Sequence, residues 1–244
     1  MLDRDRIVSQ LHSGYTVTVA EELPSTNTAL KEMAAAGAPM GTVLIADRQT
    51  CGRGRLGRQF HSPEGGLYLS VLVPPADTVT CRAAVAAARA IGRLCDAKID
   101  VKWVNDLFLN GRKVAGILAE GVLAPDGTLT AVVLGIGVNV GETTFPDELK
   151  PIATSLGNEG YALTREDLAS AFLTGLTQTL CADVSVMDEY RRRNLVLGRQ
   201  ITVLRGGETY PATAEGITDD GHLVARTADG CVHELSSGEV SIRL

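Results

Sequence analysis

Arginine and glycine alternate in one short segment of the chain, CGRGRLGRQF at residues 51–60. The segment follows, after four polar residues, an apolar run, VLIA at 43–46, that is typical of a strand. Glycine lets the backbone move, and each arginine supplies a permanent positive charge on a planar fork of donors that suits carboxylates and phosphates. Arg53, Arg55 and Arg58 therefore predict a mobile loop that folds over an anionic ligand.

Two other interpretations of this loop have to be weighed. Its glycines satisfy the dinucleotide-binding pattern G-x-G-x-x-G, but that fold needs a helix starting at the second glycine to receive the pyrophosphate. The residues that follow, QFHSPEGG, contain Pro63 and two glycines and cannot form that helix, so the pattern is rejected. A solvated basic loop or an RNA contact stays open, although no aromatic residue for base stacking precedes Phe60.

A second segment with chemical potential is VKWVND, residues 101–106. In an extended strand Lys102 and Val104 face one way, and the usual fate of a single lysine is to extend into solvent. Here Asn105 follows at once, so polar groups gather at the end of a strand. An ammonium at such a place suits a carboxylate or a phosphoryl oxygen in reaction.

The third segment is LGIGVNV, residues 134–140. Gly135 and Gly137 lie on one face of the predicted strand, where the missing side chains let another group approach the backbone. Asn139 continues that face with a hydrogen-bonding amide. A bulge or close helix–strand packing is the alternative explanation for these glycines.

The elements around these segments predict an α+β fold. Helices are expected at 3–12, after a polar cap at Ser25, Thr26 or Asn27, over the alanine-rich run that begins at Val79, and after a capping box formed by Thr164 and Asp167. The intervening strands are joined by hairpins, with turns expected at 110–111 and 126–127, which favours a mixed β-sheet with flanking helices.

The sequence pattern changes after Leu197. Short β-rich runs alternate with turns expected at 206–207, 220–221, 229–230 and 237–238, a pattern typical of a small SH3-like β-barrel. We therefore expect two domains, residues 1–195 and 196–244.

Composition narrows the class of protein. The 244 residues carry a formal net charge of −6, which argues against a general nucleic-acid coat. Neither a signal peptide nor an apolar run of bilayer length is found, so no membrane association is expected. Five scattered cysteines and four isolated histidines predict no built-in metal site and favour a reducing, cytoplasmic location.

In combination, the motifs resemble those of the biotin–protein ligases. The matching segments are STN (25–27), Gln49 with GRGRLGR, SPEGGLYLS (62–70), KWVND (102–106), KVAGILAE (113–120), GIGVN (135–139) and the C-terminal SSGEVSIRL. The resemblance extends from about residue 16 to the end. It departs from the family at Phe60, where tryptophan is usual, and at Val104, where proline is usual; neither change removes a charged or hydrogen-bonding group.

The resemblance implies a fold and an activity. The fold is a catalytic domain like that of class II aminoacyl-tRNA synthetases, followed by an SH3-like domain. The activity is formation of biotinyl-5′-AMP from biotin and ATP, with Mg²⁺ arriving on the ATP, and then transfer of biotin to a lysine of a biotin carboxyl carrier protein. Only about 24 residues precede STN, so no DNA-binding repressor domain and no nucleic-acid partner are expected. The chain is expected to act as a monomer or a homodimer.

Roles for individual residues follow from the same resemblance. Lys102, Arg55 and Arg53 are expected to be catalytic. The expected biotin-binding residues are Ser25, Thr26, Asn27, Gln49, Arg53, Gly54, Arg55, Lys102 and Gly116. The expected ATP- and adenylate-binding residues are Arg55, Arg58, Asn105, Gly135, Gly137 and Asn139.

Some assignments keep alternatives. Thr26 and Asn27 also fit a role as helix caps only, and Phe145 or Pro146 is the candidate contact for adenine. A lipoate or octanoyl transferase of the same broad fold is the rival enzyme, but the arginine–glycine–glycine–glycine motif with histidine that marks those enzymes is missing from the sequence.

Overall fold

The protein is described by a computed structural model that covers residues 1–11, 14–182, 185–236 and 239–241. The turn expected at 237–238 lies outside the described residues. The described helices are α1 (Arg4–Ser9), α2 (Thr26–Ala35), α3 (Val79–Cys95), α4 (Arg165–Cys181) and α5 (Ser185–Arg193). Within these ranges no helix is both long enough and apolar enough to cross a membrane.

The first sheet is mixed. Its seven strands are β1 (Thr16–Leu23), β2 (Thr42–Gln49), β3 (Leu67–Val73), β4 (Asp100–Lys102), β5 (Asp106–Leu109), β6 (Arg112–Leu123) and β7 (Leu129–Val138), in the spatial order β1-β2-β3-β7-β6-β5-β4. β1 pairs with β2 in parallel, whereas the remaining pairs are antiparallel. The predicted mixed sheet with flanking helices is confirmed.

Helices cover both faces of this sheet. Successive residues of a strand point to opposite faces, and on β2 the side chains of Val43 and Ile45 join the main core with α3 and α4. Leu44 instead joins a smaller cluster with Leu30 of α2 and Leu72 of β3. Burial on both faces explains the apolar run at 43–46 in β2 and the nearly continuous apolar sequence of β3.

Local sequence signals set the ends of the helices. The Ser25 hydroxyl accepts from the Thr28 N–H and is the cap of α2 among the three predicted candidates. The predicted cap at Thr164 is confirmed, because its hydroxyl accepts from the Asp167 N–H. α1 is shorter than the range predicted from sequence and is capped by Asp3.

The second sheet is antiparallel. Its strands are β8 (Gln200–Arg205), β9 (Glu208–Ile217), β10 (Leu223–Arg226), β11 (Val232–Leu235) and β12 (Glu239–Ser241), in the order β11-β10-β9-β8-β12. This arrangement is consistent with an SH3-like domain. The predicted SH3-like domain is thus borne out as a five-stranded antiparallel sheet, in which the described residues of β11 and β12 do not pair with each other. The predicted boundary at 195/196 falls between α5 and β8 and stays a prediction.

Buried hydrogen bonds to the turn before β10 and to α5 hold the end of β4 in place. The Trp103 indole N–H donates to the Gly221 carbonyl at 2.9 Å, and the Tyr190 hydroxyl donates to the Val104 carbonyl at 2.9 Å. Both donors are buried, so these bonds are shielded from competition by water. Burial raises the pKa of the Tyr190 hydroxyl well above its usual value, which keeps this donor protonated. Lys102, which directly precedes Trp103, is thereby held at a rigid position.

Candidate active site

A cavity opens beside the arginine–glycine loop and gathers almost all of the residues singled out from the sequence. The predicted site residues that line it are Ser25, Thr26, Asn27, Gln49, Arg53, Gly54, Arg55, Arg58, Lys102, Asn105, Gly116, Gly135 and Gly137. They come from the start of α2, the end of β2, the loop after it and the strands β4, β6 and β7. One cavity therefore joins segments that lie far apart in sequence.

Asn139 is the predicted site residue that the structure does not place on this cavity. It is buried just beyond the end of β7, and its amide nitrogen donates to the Thr154 carbonyl at 2.9 Å. Its backbone N–H donates to the Val114 carbonyl. In this position Asn139 fastens the loop around Thr154 to the sheet, and its expected nucleotide contact stays a prediction. The two candidates for the adenine contact also lie off the cavity, and Phe145 is buried with its ring 6.2 Å from that of His61.

Uncharged hydrogen-bonding groups form one end of the cavity. Gln49 accepts from the Thr26 backbone N–H at 2.8 Å and from its hydroxyl at 3.1 Å, while the Gln49 amide nitrogen donates to the Ser62 hydroxyl at 3.0 Å. These bonds fix which way the Gln49 amide points. This end presents hydroxyls and amides without a net charge, which suits a neutral polar ring.

Asn27 is held rigidly beneath this end. Its amide nitrogen donates to the Leu118 carbonyl at 3.2 Å and to Glu120 Oε2 at 3.0 Å, so both of its hydrogens are engaged. Its oxygen lies 2.6 Å from the Ser70 hydroxyl. A Cβ on Gly135 would lie 2.0 Å from that oxygen, so glycine is required for Asn27 to sit there.

Phe60 lies against two more glycines of the cavity, Gly137 and Gly116. A Cβ on Gly137 would lie 2.6 Å from the Phe60 ring, and one on Gly116 would lie 3.3 Å from it. The ring packs edge-on against Tyr68, with 6.5 Å between centroids. The close approach predicted from the glycines is present, and the groups that approach are the side chains of Asn27 and Phe60.

The arginine–glycine loop has a neck and a tip. At the neck, Arg53 forms a β-bridge with Gln59, and the Phe60 N–H donates to the Gly52 carbonyl at 2.9 Å. The tip is a single 3-10 turn, Arg55–Gly57. Arg55 at this turn donates to the Asn105 amide oxygen at 3.2 Å, and Asn105 is itself fixed by donating to the Ile117 carbonyl at 2.8 Å.

Cationic groups form the opposite end of the cavity. Lys102 is half-buried at the end of β4, with its ammonium 6.0 Å from the centre of the Phe108 ring. Lys113 also lines the cavity, and its ammonium lies 2.7 Å from the Asp106 carboxylate and 5.7 Å from the centre of the Phe60 ring. With Arg55 and Arg58 at the loop, this end concentrates positive charge on a chain of net negative charge.

Lys113 was not singled out from the sequence, although it opens the KVAGILAE segment. Its side chain reaches the cavity because β5 pairs with β6 in a register that shifts between Leu107 and Phe108. A bulge of this kind changes the face on which later side chains lie. The predicted Asn110–Gly111 turn, with both residues at positive φ, brings Lys113 back beside Asp106.

The cavity has no resident metal cluster among the described residues, because His, Cys, Asp and Glu side chains nowhere gather there in groups of three or more. The side chains that line the cavity supply fixed cations and oriented amides. Such a site binds an anion at one end and a neutral hydrogen-bonding group at the other.

Comparison with known proteins decides the family. The model of the biotin/lipoate A/B protein ligase family matches residues 19–139, and that of the biotin protein ligase C-terminal domain matches residues 196–243. A protein of Mycobacterium tuberculosis named biotin–[acetyl-CoA-carboxylase] ligase is 35% identical over 97% of this chain and 92% of its own length. This chain belongs to the biotin/lipoate A/B protein ligase family.

Other members of the biotin/lipoate ligase family match over most of this chain. The bifunctional ligase/repressor BirA of Bacillus spizizenii is 32% identical over 94% of this chain and 74% of its own length. The solved structure of the biotin protein ligase from Aquifex aeolicus in complex with biotin and ATP is 30% identical and covers 93% of this chain and 98% of that chain, with a TM-score of 0.81. The sequence-based family assignment is confirmed.

Proposed function

We propose that this protein is an ATP-dependent biotin–protein ligase. In the first step a biotin carboxylate oxygen attacks the α-phosphorus of ATP, the bond from that phosphorus to the bridging oxygen breaks, and pyrophosphate leaves. In the second step the ε-amine of a lysine on a biotin carboxyl carrier protein attacks the acyl carbon. AMP leaves and the amine loses a proton, which gives an amide.

The observation that carries this proposal is the polarity of the cavity. Its Gln49 and Thr26 end offers uncharged donors and acceptors, and its other end holds Lys102, Lys113 and Arg55. Biotin has the same polarity, with a neutral ureido ring at one end and a carboxylate at the other. The reaction joins two anions, so fixed cations are needed to offset their repulsion and to stabilise the charge that develops.

Roles for the predicted residues follow from this placement. We propose that Ser25, Thr26 and Gln49 bind the ureido ring and that Lys102 and Lys113 stabilise the carboxylate and the α-phosphate. Arg55 and Arg58 would close over the phosphates with the loop tip and exclude water from the acyl-adenylate. Because Asn27 already uses both amide hydrogens, we propose that it shapes the floor of the site.

The glycines of the cavity leave space beside the backbone for other groups. We propose that Gly54 and Gly116 leave room on the biotin side, that Gly135 leaves the space that Asn27 occupies, and that Gly137 leaves the space that Phe60 occupies. Mg²⁺ is a partner of the nucleotide in this proposal, entering as MgATP and offsetting phosphate charge. Asn105, which lines the same cavity, is the candidate contact to that end.

The acceptor protein and the location of the reaction are part of the same proposal. The names of the relatives point to an acetyl-CoA-carboxylase carrier as the acceptor. All five cysteines are free, which suits a reducing compartment, and we place the reaction in the cytoplasm. The ligase is proposed to act as a monomer or homodimer and without a nucleic-acid partner.

Exchange of labelled pyrophosphate into ATP tests this function, because it reports the first step without an acceptor protein. We expect exchange that depends on biotin and is not supported by lipoate. Exchange with lipoate alone would assign the chain to the lipoate branch of the family. Tight binding to random oligonucleotides without exchange would instead favour the nucleic-acid interpretation of the loop.

A further inference from the structure

The first arginine of the loop is paired with a carboxylate on the neighbouring sheet. One terminal nitrogen of Arg53 lies 3.2 Å and 3.4 Å from the two carboxylate oxygens of Glu120. Glu120 is on β6, and its side chain is only 16% exposed, whereas that of Arg53 is 47% exposed. A charge-assisted contact to a mostly buried carboxylate orders the more mobile partner.

The same carboxylate also fixes the floor of the cavity. Glu120 Oε2 accepts from the Asn27 amide nitrogen at 3.0 Å, and its Oε1 lies 4.0 Å from the Lys31 ammonium. Asn27 itself is 4% exposed and fits beneath Gly135 in one orientation only. Glu120 therefore joins the loop to the start of α2.

The backbone places this contact at the neck of the loop. Arg53 forms its β-bridge with Gln59, next to the hydrogen bond between Gly52 and Phe60. Arg55, at the tip, instead contacts Asn105. The neck is thus tied to β6 through a side chain, while the tip is held by contacts that a ligand phosphate can replace.

We infer that Glu120 is a positioning residue that anchors the neck of the arginine–glycine loop through Arg53 and sets the amide of Asn27. The tip then moves against a fixed base. In this arrangement Arg53 is an anchor of the loop, whereas its expected role was that of a catalytic ligand contact. The effect of Glu120 on catalysis rests on the proposed function, whereas the contact between Glu120 and Arg53 does not.

Limited trypsin digestion of the ligand-free protein tests the anchor, because Arg55 in the tip and Arg58 directly after it are two cleavage sites. Glu120→Gln keeps the shape of the side chain and one acceptor for Asn27 but removes the charge. We expect cleavage after the tip arginines to become about fivefold faster, as local opening does when a partly buried ion pair is lost. Arg53→Met should give the same increase.

A double variant distinguishes an effect of Glu120 through Arg53 from independent destabilisation of the loop by each substitution. If Glu120 acts through Arg53, trypsin should cleave the double variant, Glu120→Gln with Arg53→Met, no faster than it cleaves either single variant. The matched control is Glu22→Gln, which breaks the exposed Arg48–Glu22 pair of 2.7 Å between β1 and β2 and should leave cleavage unchanged. Unchanged cleavage in Glu120→Gln, or effects that simply add in the double variant, would overturn the anchor.

The pyrophosphate exchange assay supplies a second measurement. We expect Glu120→Gln to raise the KM for biotin about tenfold with a kcat within about twofold of the wild-type value, as a misplaced binding group does. A large loss of kcat at unchanged KM would contradict a positioning role. If the wild-type protein shows no exchange, the proposed function fails while the digestion still decides the anchor. Should Glu120→Gln not fold, the half-exposed Arg53→Met carries the digestion test.

Discussion

The Lys113 ammonium lies 2.7 Å from the Asp106 carboxylate across the β5–β6 hairpin, and both side chains line the cavity. The pair is partly exposed, at 31% and 25%, so its own contribution to stability is small. Asp106 holds the ammonium beside the place where an anionic ligand would bind. A carboxylate or phosphate entering the cavity can therefore exchange with Asp106 as the partner of Lys113.

Lys113→Ala should slow biotin-dependent pyrophosphate exchange by about 10²–10³, the usual cost of losing one preorganised contact to developing charge. Circular dichroism and thermal unfolding should match the wild-type protein. Lys98→Ala, an exposed lysine outside the cavity, is the control and should leave the rate unchanged. An exchange rate within about threefold of wild type would show that Lys113 only pairs with Asp106.

Lys102→Ala should also abolish most of the exchange while the fold survives. Its ammonium lies at a strand end that the buried Trp103 and Tyr190 hydrogen bonds hold in place, so its position toward the ligand is fixed. The expected loss is again about 10²–10³ in rate. If the rate is unaffected, Lys102 is the ordinary solvated lysine that the sequence left open as an alternative.

Gly135→Ala should destabilise the protein and raise the KM for biotin. The added Cβ would meet the Asn27 oxygen at 2.0 Å, so the buried Asn27 network must shift. Overpacking of this kind costs about 1–3 kcal/mol in the free energy of unfolding. Gly216→Ala is a matched control, since its Cβ would meet no atom within 4 Å. Equal urea midpoints for the two variants would contradict the close approach.

The sequence predicted these glycines more readily than the side chains that occupy their space. Spacing along one strand placed Gly135 and Gly137 on a common face, and the structure confirms close approach there. Nothing local in the sequence indicates that Asn27 and Phe60 are the approaching groups. That pairing depends on where α2 and the loop pack on β7, which is a tertiary property.

Two features of the site, the entry of Lys113 and the position of Asn139, were not predicted from the sequence, and each has its own structural cause. Lys113 enters through a register shift in β5–β6, and such bulges have no reliable signal in a single sequence. Asn139 leaves the cavity because the loop around Thr154 takes its amide hydrogen bond. By contrast, the helix cap at Thr164 and the turn at Asn110 are local, and local residue types were enough to predict them.

Glu159 should make the stability of the protein depend on pH. Hydrogen bonds from Thr154 and Asn110, with the nearby Arg112 charge, lower the pKa of this carboxyl below its ordinary value. A group whose pKa is lower in the folded state stabilises that state above its unfolded pKa, and the stabilisation is lost as pH falls through the folded value. Glu159→Gln should therefore lower the free energy of unfolding more at pH 7 than in acid.

Urea unfolding measures this difference directly. At neutral pH we expect Glu159→Gln to lower the free energy of unfolding by about 2 kcal/mol, the scale of hydrogen bonds to a charged group. The gap from wild type should shrink steadily as the pH is lowered through the acid range. Glu148→Gln at an exposed position is the control and should change little. The same gap at every pH would contradict a depressed pKa for Glu159.

The most direct measurement is a crystal structure of the protein with biotin and a non-hydrolysable ATP analogue. The account predicts the ureido ring at Gln49 and Thr26, the carboxylate between Lys102 and Lys113, and Arg55 moved from Asn105 onto a phosphate. A ligand bound elsewhere, with Arg55 still on Asn105, would contradict it.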